Sequence, residues 1–264
     1  MINISLQPFM LKCMGAVFLL FCIPKWTVCQ NLKVMSYNIH HGADKDEVLT
    51  YQEIGQFIKS SGAMIIGLQE VDSVCARSGN SDQMKVLSEI TGMNAAFGRH
   101  FAYDGGAYGL GILSQYPLQD IRNDRITSIR SNGEKGTLAL LSAKVALPGG
   151  QEIIFATVHF ALDQETRLLQ AQEVVNFLAS DLPVVLTGDL NAEPDSKEIV
   201  LLKKHFLQTQ EADKLTFPND NPVKKIDYIM VSHNAIHKIL ASEVGVGNHL
   251  SDHLPILSVW EMTK

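Results

Sequence analysis

Asp189 and Asn191 stand one residue apart where the apolar run 182–186, Leu-Pro-Val-Val-Leu, gives way to Thr187-Gly188. That run has the length and β-branched content of a buried strand. Side chains alternate along an extended chain, so a carboxylate and a carboxamide would share one face if extension continues through Leu190. Five other stretches put polar groups in the same kind of place. Asn38 follows the apolar stretch from Leu32, Glu70 follows 63–68, and His159 ends 152–160. Asp227 lies in 225–232, and Asp252-His253 precede a last strand running to Trp260. Each has a plain explanation alone: a turn asparagine, a solvated carboxylate, a core histidine, a helix cap. Six at strand exits or adjoining loops form a set, because loops at one rim of a scaffold are where reacting groups gather.

The chemistry this set fits is metal-assisted hydrolysis of a phosphoester. Glu70 with Asp252 or Asn38 offers hard oxygen donors for Mg²⁺ or Mn²⁺, ions that take few protein groups and keep several waters. No cysteine or clustered histidine pattern suggests structural zinc. Asp189 can orient and deprotonate the attacking water. Asn191, Asn38 and His159 can donate to the phosphoryl oxygens where charge accumulates, as can a protonated His253. Asp227 is a carboxylate able to hold a histidine in one tautomer and raise its pKa. Arg77, in Arg77-Ser78-Gly79 shortly after Glu70, is a candidate substrate contact, with a surface loop arginine as its plain alternative.

Elements to position these groups are legible in the pattern. Strands are expected over 32–39, 63–68, 94–101, 107–114, 138–147, 152–160, 182–186, 225–232 and to Trp260. Helices are expected over 47–60, over a segment capped by Asn80 or Ser81, over 163–178 and over 196–205. The stretch Tyr103-Asp104-Gly105-Gly106-Ala107-Tyr108 reads as a hairpin turn whose two tyrosines could line a pocket mouth. Strands outnumber helices, which favours α+β architecture with two stacked sheets and helices outside over a doubly wound parallel sheet.

The chain has 264 residues, 46% of them hydrophobic and 19% charged, which suits one large domain. Its start differs in kind. Lys12 precedes an apolar run from Cys13 to Ile23 that Pro24-Lys25 ends, too short for a membrane helix and built like a secretory leader. Cleavage after Thr27-Val28-Cys29 would divide the chain into a leader, 1–29, and a domain, 30–264, for export to the periplasm, cell surface or medium. Neither Cys22 nor Cys29 follows the small-residue pair of a lipid-anchoring signal. The mature chain would keep only Cys75, so no internal disulfide can form. Removing two lysines from 22 basic residues against 28 acidic ones leaves 20 against 28, a balance of −8. Such a chain is not drawn to polyanions in general, which lowers the expectation of nucleic acid as substrate.

The stretches Ser36-Tyr37-Asn38-Ile39-His40-His41-Gly42, Leu68-Gln69-Glu70-Val71-Asp72, Thr157-Val158-His159-Phe160, Gly188-Asp189-Leu190-Asn191, Ile226-Asp227-Tyr228-Ile229 and Ser251-Asp252-His253-Leu254-Pro255 together resemble the endonuclease/exonuclease/phosphatase family. The match runs in order from about residue 32 to 261. It implies a deoxyribonuclease I-like four-layered α/β/β/α sandwich of two mixed sheets flanked by helices, with the site at one end. It implies Glu70 as principal Mg²⁺ ligand with Asn38 and Asp252 near the ion, and Asp189 as activator of water. It implies His253 on the scissile phosphate, Asp227 orienting a catalytic histidine, expected to be His159, and Asn191 bracing the site. Where abasic-site endonucleases carry an acidic residue two places after the strand-end asparagine, this chain has His40. The expected activity is therefore that of an exported, monomeric phosphodiesterase or phosphatase acting on a small or lipid-derived phosphoester. A secreted nuclease and a non-catalytic binding module on the same fold are the alternatives.

Overall fold

The computed structural model describes residues 1–2, 31–129, 132–211, 213–245 and 249–262; apart from its first two residues, the expected leader lies outside these. The chain first lays down β1 (Asn31–Asn38), α1 (Tyr51–Ser61), β2 (Ile65–Ser73), α2 (Gln83–Thr91), β3 (Asn94–Tyr103) and β4 (Gly106–Ser114). It then builds β5 (Leu118–Ile129), β6 (Lys135–Ala146), β7 (Glu152–His159), α3 (Gln164–Phe177), β8 (Val184–Asp189), α4 (Lys197–Leu202), β9 (Phe206–Gln208) and β10 (Asp227–Ser232). It closes with β11 (Ile236–Val244) and β12 (Ile256–Met262). Two six-stranded sheets result, ordered β11-β12-β1-β2-β4-β3 and β5-β6-β7-β8-β10-β9. Each has one parallel pair at its centre, β1/β2 joined through α1 and β7/β8 joined through α3, among antiparallel neighbours.

Three apolar layers hold the sandwich together. Between the sheets lie Val34, Ile65, Leu110, Ile112, Leu141, Phe155, Val185, Ile229 and Trp260. Outside the first sheet, Met35, Tyr37, Ile66 and Leu68 pack on Ile54 and Ile58 of α1 and Met84 and Leu87 of α2. Outside the second, Val158, Leu186 and Met230 pack with Ala171 and Val174 of α3 and Ile199 and Leu202 of α4. Alternate residues of one strand thus serve different layers: Val34 faces the other sheet and Met35 faces the helices. This is the four-layered architecture expected from the sequence.

Several local expectations change. α1 starts at Tyr51 rather than Glu47, because His40, His41, Gly42 and Glu47 all have positive φ and the chain from 40 to 50 is a loop. α2 is capped by Asp82, whose side chain accepts from the Lys85 N–H, not by Asn80 or Ser81. Strands β5, β9 and β11 were not legible. All three are sheet edges, and β5 and β11 leave many side chains to solvent, which blurs period-two patterning.

At Gly67 the facing sheet leaves no room for a side chain. A Cβ there would lie well inside contact distance of Thr187 Oγ1 and 2.9 Å from Thr157 Oγ1. Beside it, Gln69 Nε2 of the first sheet donates to Thr157 Oγ1 of the second, 2.8 Å. Gly67→Ala is expected to lower stability by about 1–3 kcal/mol through overpacking. Adding Thr187→Ala should recover part of that loss, as denaturant melts of the single and double variants would read.

Candidate active site

Strand register gathers the polar groups. His159 is the partner of Asp189 across the parallel β7/β8 pair, and Asp227 is its partner across the antiparallel β8/β10 pair. Histidine, aspartate and aspartate therefore stand side by side on three neighbouring strands. In the first sheet, Asn38 ends β1 opposite Gln69 of β2. Glu70 follows at a bulge, where Leu68 and Val71 face Gly111 and Gly109, and its φ of 60° lies in the left-handed region. Such a bulge re-aims a side chain that an unbroken strand would send elsewhere.

Asn38 ties the two sheets together at the site. Its Nδ2 donates to Glu70 Oε1 and to Asp189 Oδ2, each at 3.0 Å, and its Oδ1 accepts from the His40 N–H at 3.0 Å. The amide thus meets both carboxylates with its donor side, and Asn38 braces Glu70. Its own carbonyl accepts from Ser251 Oγ, which fastens the loop carrying Asp252 and His253.

Asp189 lies at the floor, 2% exposed. Its Oδ1 accepts from the Asn191 N–H at 2.9 Å. Its Oδ2 lies 3.5 Å from His159 Nε2 and 3.6 Å from His253 Nε2. Burial, then the nearby Asp227 charge, push its pKa up against the pull of both histidines. The strand ends at Asp189, and Asn191 has φ 47°, so the shared face expected from continued extension is not how the two meet. A tight turn, closed by the Asn191 N–H on the Asp189 carboxylate, brings the Asn191 amide over His159 Nε2 at 3.1 Å and the Phe160 carbonyl at 3.0 Å.

The partner of Asp227 is a correction. Its Oδ2 lies 3.0 Å from Nδ1 of His253, not of His159. Both groups are buried, and the ring of Phe217 packs 4.7 Å from the His253 ring. Burial disfavours the imidazolium, but Asp227, Asp189 and the Asp227 hydrogen bond outweigh it and raise the His253 pKa to about 10. His159 is held instead by Asn191 and Asp189. The reason is register: β10 runs beside β8 on the side away from β7, so Asp189 separates Asp227 from His159.

Glu70, Asp189, Asn191, His159, Asp252 and His253 share the wall of one cavity of about 570 Å³, floored and flanked by apolar Phe160, Leu162, Phe217 and Ile226. Burial works against ionisation of Glu70, yet His159, the Asn38 hydrogen bond, His253 and His40 together hold its pKa below the usual range. An anionic Glu70 and the carboxylate of Asp252 on the wall of the same cavity are donors that fit a hard divalent cation. Asp189, Asp227 and His253 also bring ligand atoms within 4.8 Å of one another, but a protonated His253 gives that group a cation of its own. Arg77 stands outside the cavity wall. Nε and Nη2 each bond the buried Asp72 at 2.8 Å, and the guanidinium covers the rings of Tyr103 and Tyr108 at 4.6 and 5.5 Å. Tyr108 does line the cavity, at the end of the β3–β4 hairpin.

Two groups escaped sequence reading. His100 lines the cavity at 3% exposure; its Nδ1 accepts from the Ala139 N–H at 2.7 Å, which leaves the proton on Nε2, without a partner among the described residues. Burial, then the charges of His159 and Arg125, lower its pKa to about 3, so it is a neutral donor. A single histidine inside a strand gives no sequence signal of that role. Lys225, two residues before Asp227, is 1% exposed, its Nζ without a hydrogen-bond partner among the described residues and 5.0 Å from the Tyr228 ring centre.

Residues 35–253 match the sequence model of the endonuclease/exonuclease/phosphatase family. The chain belongs to this family. Its members are phosphoester hydrolases, and so is this protein, with a divalent metal as the family's usual requirement. YbhP of Escherichia coli strain K12, an uncharacterised protein, is 26% identical over 251 residues, covering 89% of this chain and 98% of its own. The fold is similar to that of a family protein from Beutenbergia cavernae, with TM-score 0.73, 19% identity and coverage of 88% of this chain and 72% of that one. It is also similar to a mannosyl-6-phosphatase of Bacteroides thetaiotaomicron, with TM-score 0.63, 20% identity and coverage of 86% and 98%.

Lys225 offers a test of the electrostatics. Burial lowers its pKa from 10.5 to about 8 despite the attraction of Asp227. Between those values the unfolded chain binds the extra proton, so wild-type stability should rise with pH across that window. Lys225→Met is expected to gain about 1–3 kcal/mol at pH 7. The gain should shrink as pH climbs from about 8 towards 10.5 in melts of the two proteins.

Proposed function

We propose that this protein is an exported Mg²⁺-dependent phosphodiesterase or phosphatase of a small or lipid-derived phosphoester. The observation that carries the reaction is the buried Asp189, its pKa raised and its Oδ2 facing two histidines and the Asn38 amide at the floor of a cavity. A carboxylate made more basic by burial is suited to take a proton from water. In this reading the water oxygen bonds to phosphorus, its proton passes to Asp189, and the bond to the leaving oxygen breaks. The His253 imidazolium, held by Asp227, stabilises charge on the phosphoryl oxygens, and His159 and Asn191 contribute from the other side. Glu70 and Asp252 would hold a divalent ion, with Asn38 bracing Glu70, and the chemistry such an ion would supply is Lewis-acid polarisation of the phosphoryl group and support of the leaving oxygen. The Nε2–H of His100 is a further donor to the substrate.

Substrate size rests on the cavity. Its wall mixes apolar side chains with Lys224 and Glu193 and offers no basic track of the kind a polynucleotide backbone requires. The −8 balance of the mature chain supports the same preference.

Purified protein with Mg²⁺ should hydrolyse at least one member of a panel of sugar phosphates, inositol phosphates, phosphodiesters and sphingomyelin. Asp189→Ala should lower kcat on that substrate by roughly 10²–10⁴-fold. Silence across the panel would sink the reading, and plasmid degradation abolished by Asp189→Ala would make the protein a nuclease instead. Export is checked separately: mass spectrometry of protein recovered outside the cytoplasm should find Gln30 as its first residue.

A further inference from the structure

Where abasic-site endonucleases carry an acidic residue this chain has His40, followed by His41, and although the charge of His40 is felt at Glu70, no step of the hydrolysis above is assigned to either ring. Their rings lie 4.3 Å apart between centres and converge on Glu47. His41 Nε2 is 2.8 Å from Glu47 Oε2, and His40 Nε2 is 3.8 Å from Glu47 Oε1. The three offer ligand atoms that all lie within 4.8 Å of one another.

We propose that His40, His41 and Glu47 form a second cation site, of the two-histidine, one-carboxylate type that takes Zn²⁺. Imidazole and carboxylate donors suit that ion, and three protein ligands leave a position for water. The side chains of His40 and His41 are 19% and 8% exposed, whereas that of Glu47 is 68% exposed, so the open side faces solvent.

Two observations go beyond an ordinary histidine–glutamate ion pair. The first is orientation from behind: His40 Nδ1 lies 3.2 Å from the Asp44 carbonyl, the contact that fixes a ring's tautomer and leaves Nε2 free for a metal. The second is the backbone. His40, His41 and Glu47 have φ of 45°, 45° and 63°, so all three converging side chains are launched from left-handed positions. Glu70 and Asn191 share that feature at the hydrolytic site. Such conformations persist where surrounding structure enforces them, commonly at ligand clamps. Here the loop is braced: Asp44 Oδ1 accepts from the N–H groups of Asp46 and Val48, Gln83 Nε2 donates to the His41 carbonyl, and the Thr50 N–H to Gly42. Arg77, whose charge is felt at His41, is neutralised by Asp72.

The site would also be mechanically linked to the hydrolytic one. The His40 N–H holds Asn38 Oδ1, and Asn38 holds Glu70 and Asp189. An ion fixing the loop would fix the orientation of that amide. The proposal itself does not depend on the phosphoester reading.

The test is metal binding, not turnover. Full-length protein stripped with chelator and kept in excess Mg²⁺ is titrated with Zn²⁺ by calorimetry and with Co²⁺ by visible absorption. One tight Zn²⁺ per chain is expected, retained in Glu70→Gln/Asp252→Asn. Affinity should fall roughly tenfold or more in Glu47→Gln and in His40→Gln, with the Co²⁺ bands altered. Glu47 is exposed, so Glu47→Gln should melt like the metal-free parent and separate ligand loss from unfolding. The proposal fails if the parent binds no Zn²⁺ under excess Mg²⁺. It fails equally if both variants bind as the parent does, or if binding disappears only with Glu70→Gln/Asp252→Asn.

Discussion

The 3.0 Å hydrogen bond from Asn38 to Asp189 crosses from one sheet of the sandwich to the other, and the site depends on that distance being kept. Stacked sheets ordinarily lie about 10 Å apart, a gap filled by side chains. Beside the site there is no room for that filling. Gly67 contributes no side chain opposite Thr187 and Thr157, and Gln69 reaches across to Thr157. A larger residue at 67 would separate Glu70 from Asp189 as surely as deleting one of them. The seam is also polar, with Ser36, Gln69, Thr157 and Thr187 all buried, so its groups must find partners in a fixed arrangement. Apolar packing supplies most of the cohesion, and this seam sets the spacing.

Within that frame, the electrostatics are set by burial. Asp189 and Asp227 lie on adjacent strands with almost no solvent to separate their charges. His253 is the imidazolium that makes such a pair tenable, and its own burial is offset only because both carboxylates are there. The three groups are therefore interdependent. Replacing His253 leaves two uncompensated carboxylates in a dry place, whereas replacing either carboxylate leaves the other beside the imidazolium. Lys225 runs against this logic: a buried ammonium with no hydrogen-bond partner among the described residues, tolerated beside Asp227 and the face of Tyr228.

Much of this was legible in the sequence, for identifiable reasons. Buried central strands are continuous apolar runs, so β1, β2, β7, β8 and β10 could be recognised and their polar ends noticed. The family and the layered fold followed from six such ends in order. What the sequence concealed was pairing. That Asp227 serves His253 rather than His159 depends on β10 lying beyond β8, and lateral order leaves no trace in a strand's own pattern. The same holds for His100, whose tautomer depends on a backbone N–H of Ala139 in the other sheet. Arg77, a cation near Glu70 in sequence, is bonded in the structure to Asp72 five residues away, a partner its local pattern did not announce.

The two sheets differ in how the chain supplies them. One takes β5 to β10 from a single uninterrupted segment, whereas the other takes β1 to β4 first and waits for β11 and β12. Until β12 arrives, β1 is a bare edge in what will become the interior of a sheet, and its Asn38 carbonyl lacks the Ser251 hydroxyl. Asp252 and His253 arrive with that same late segment. A ribosome therefore releases Asn38, Glu70, His159 and Asp189 before Asp227, Asp252 and His253, and the growing chain lacks part of the polar set until its last strand is made. Closure of the sheet and completion of the reactive set are one event in time.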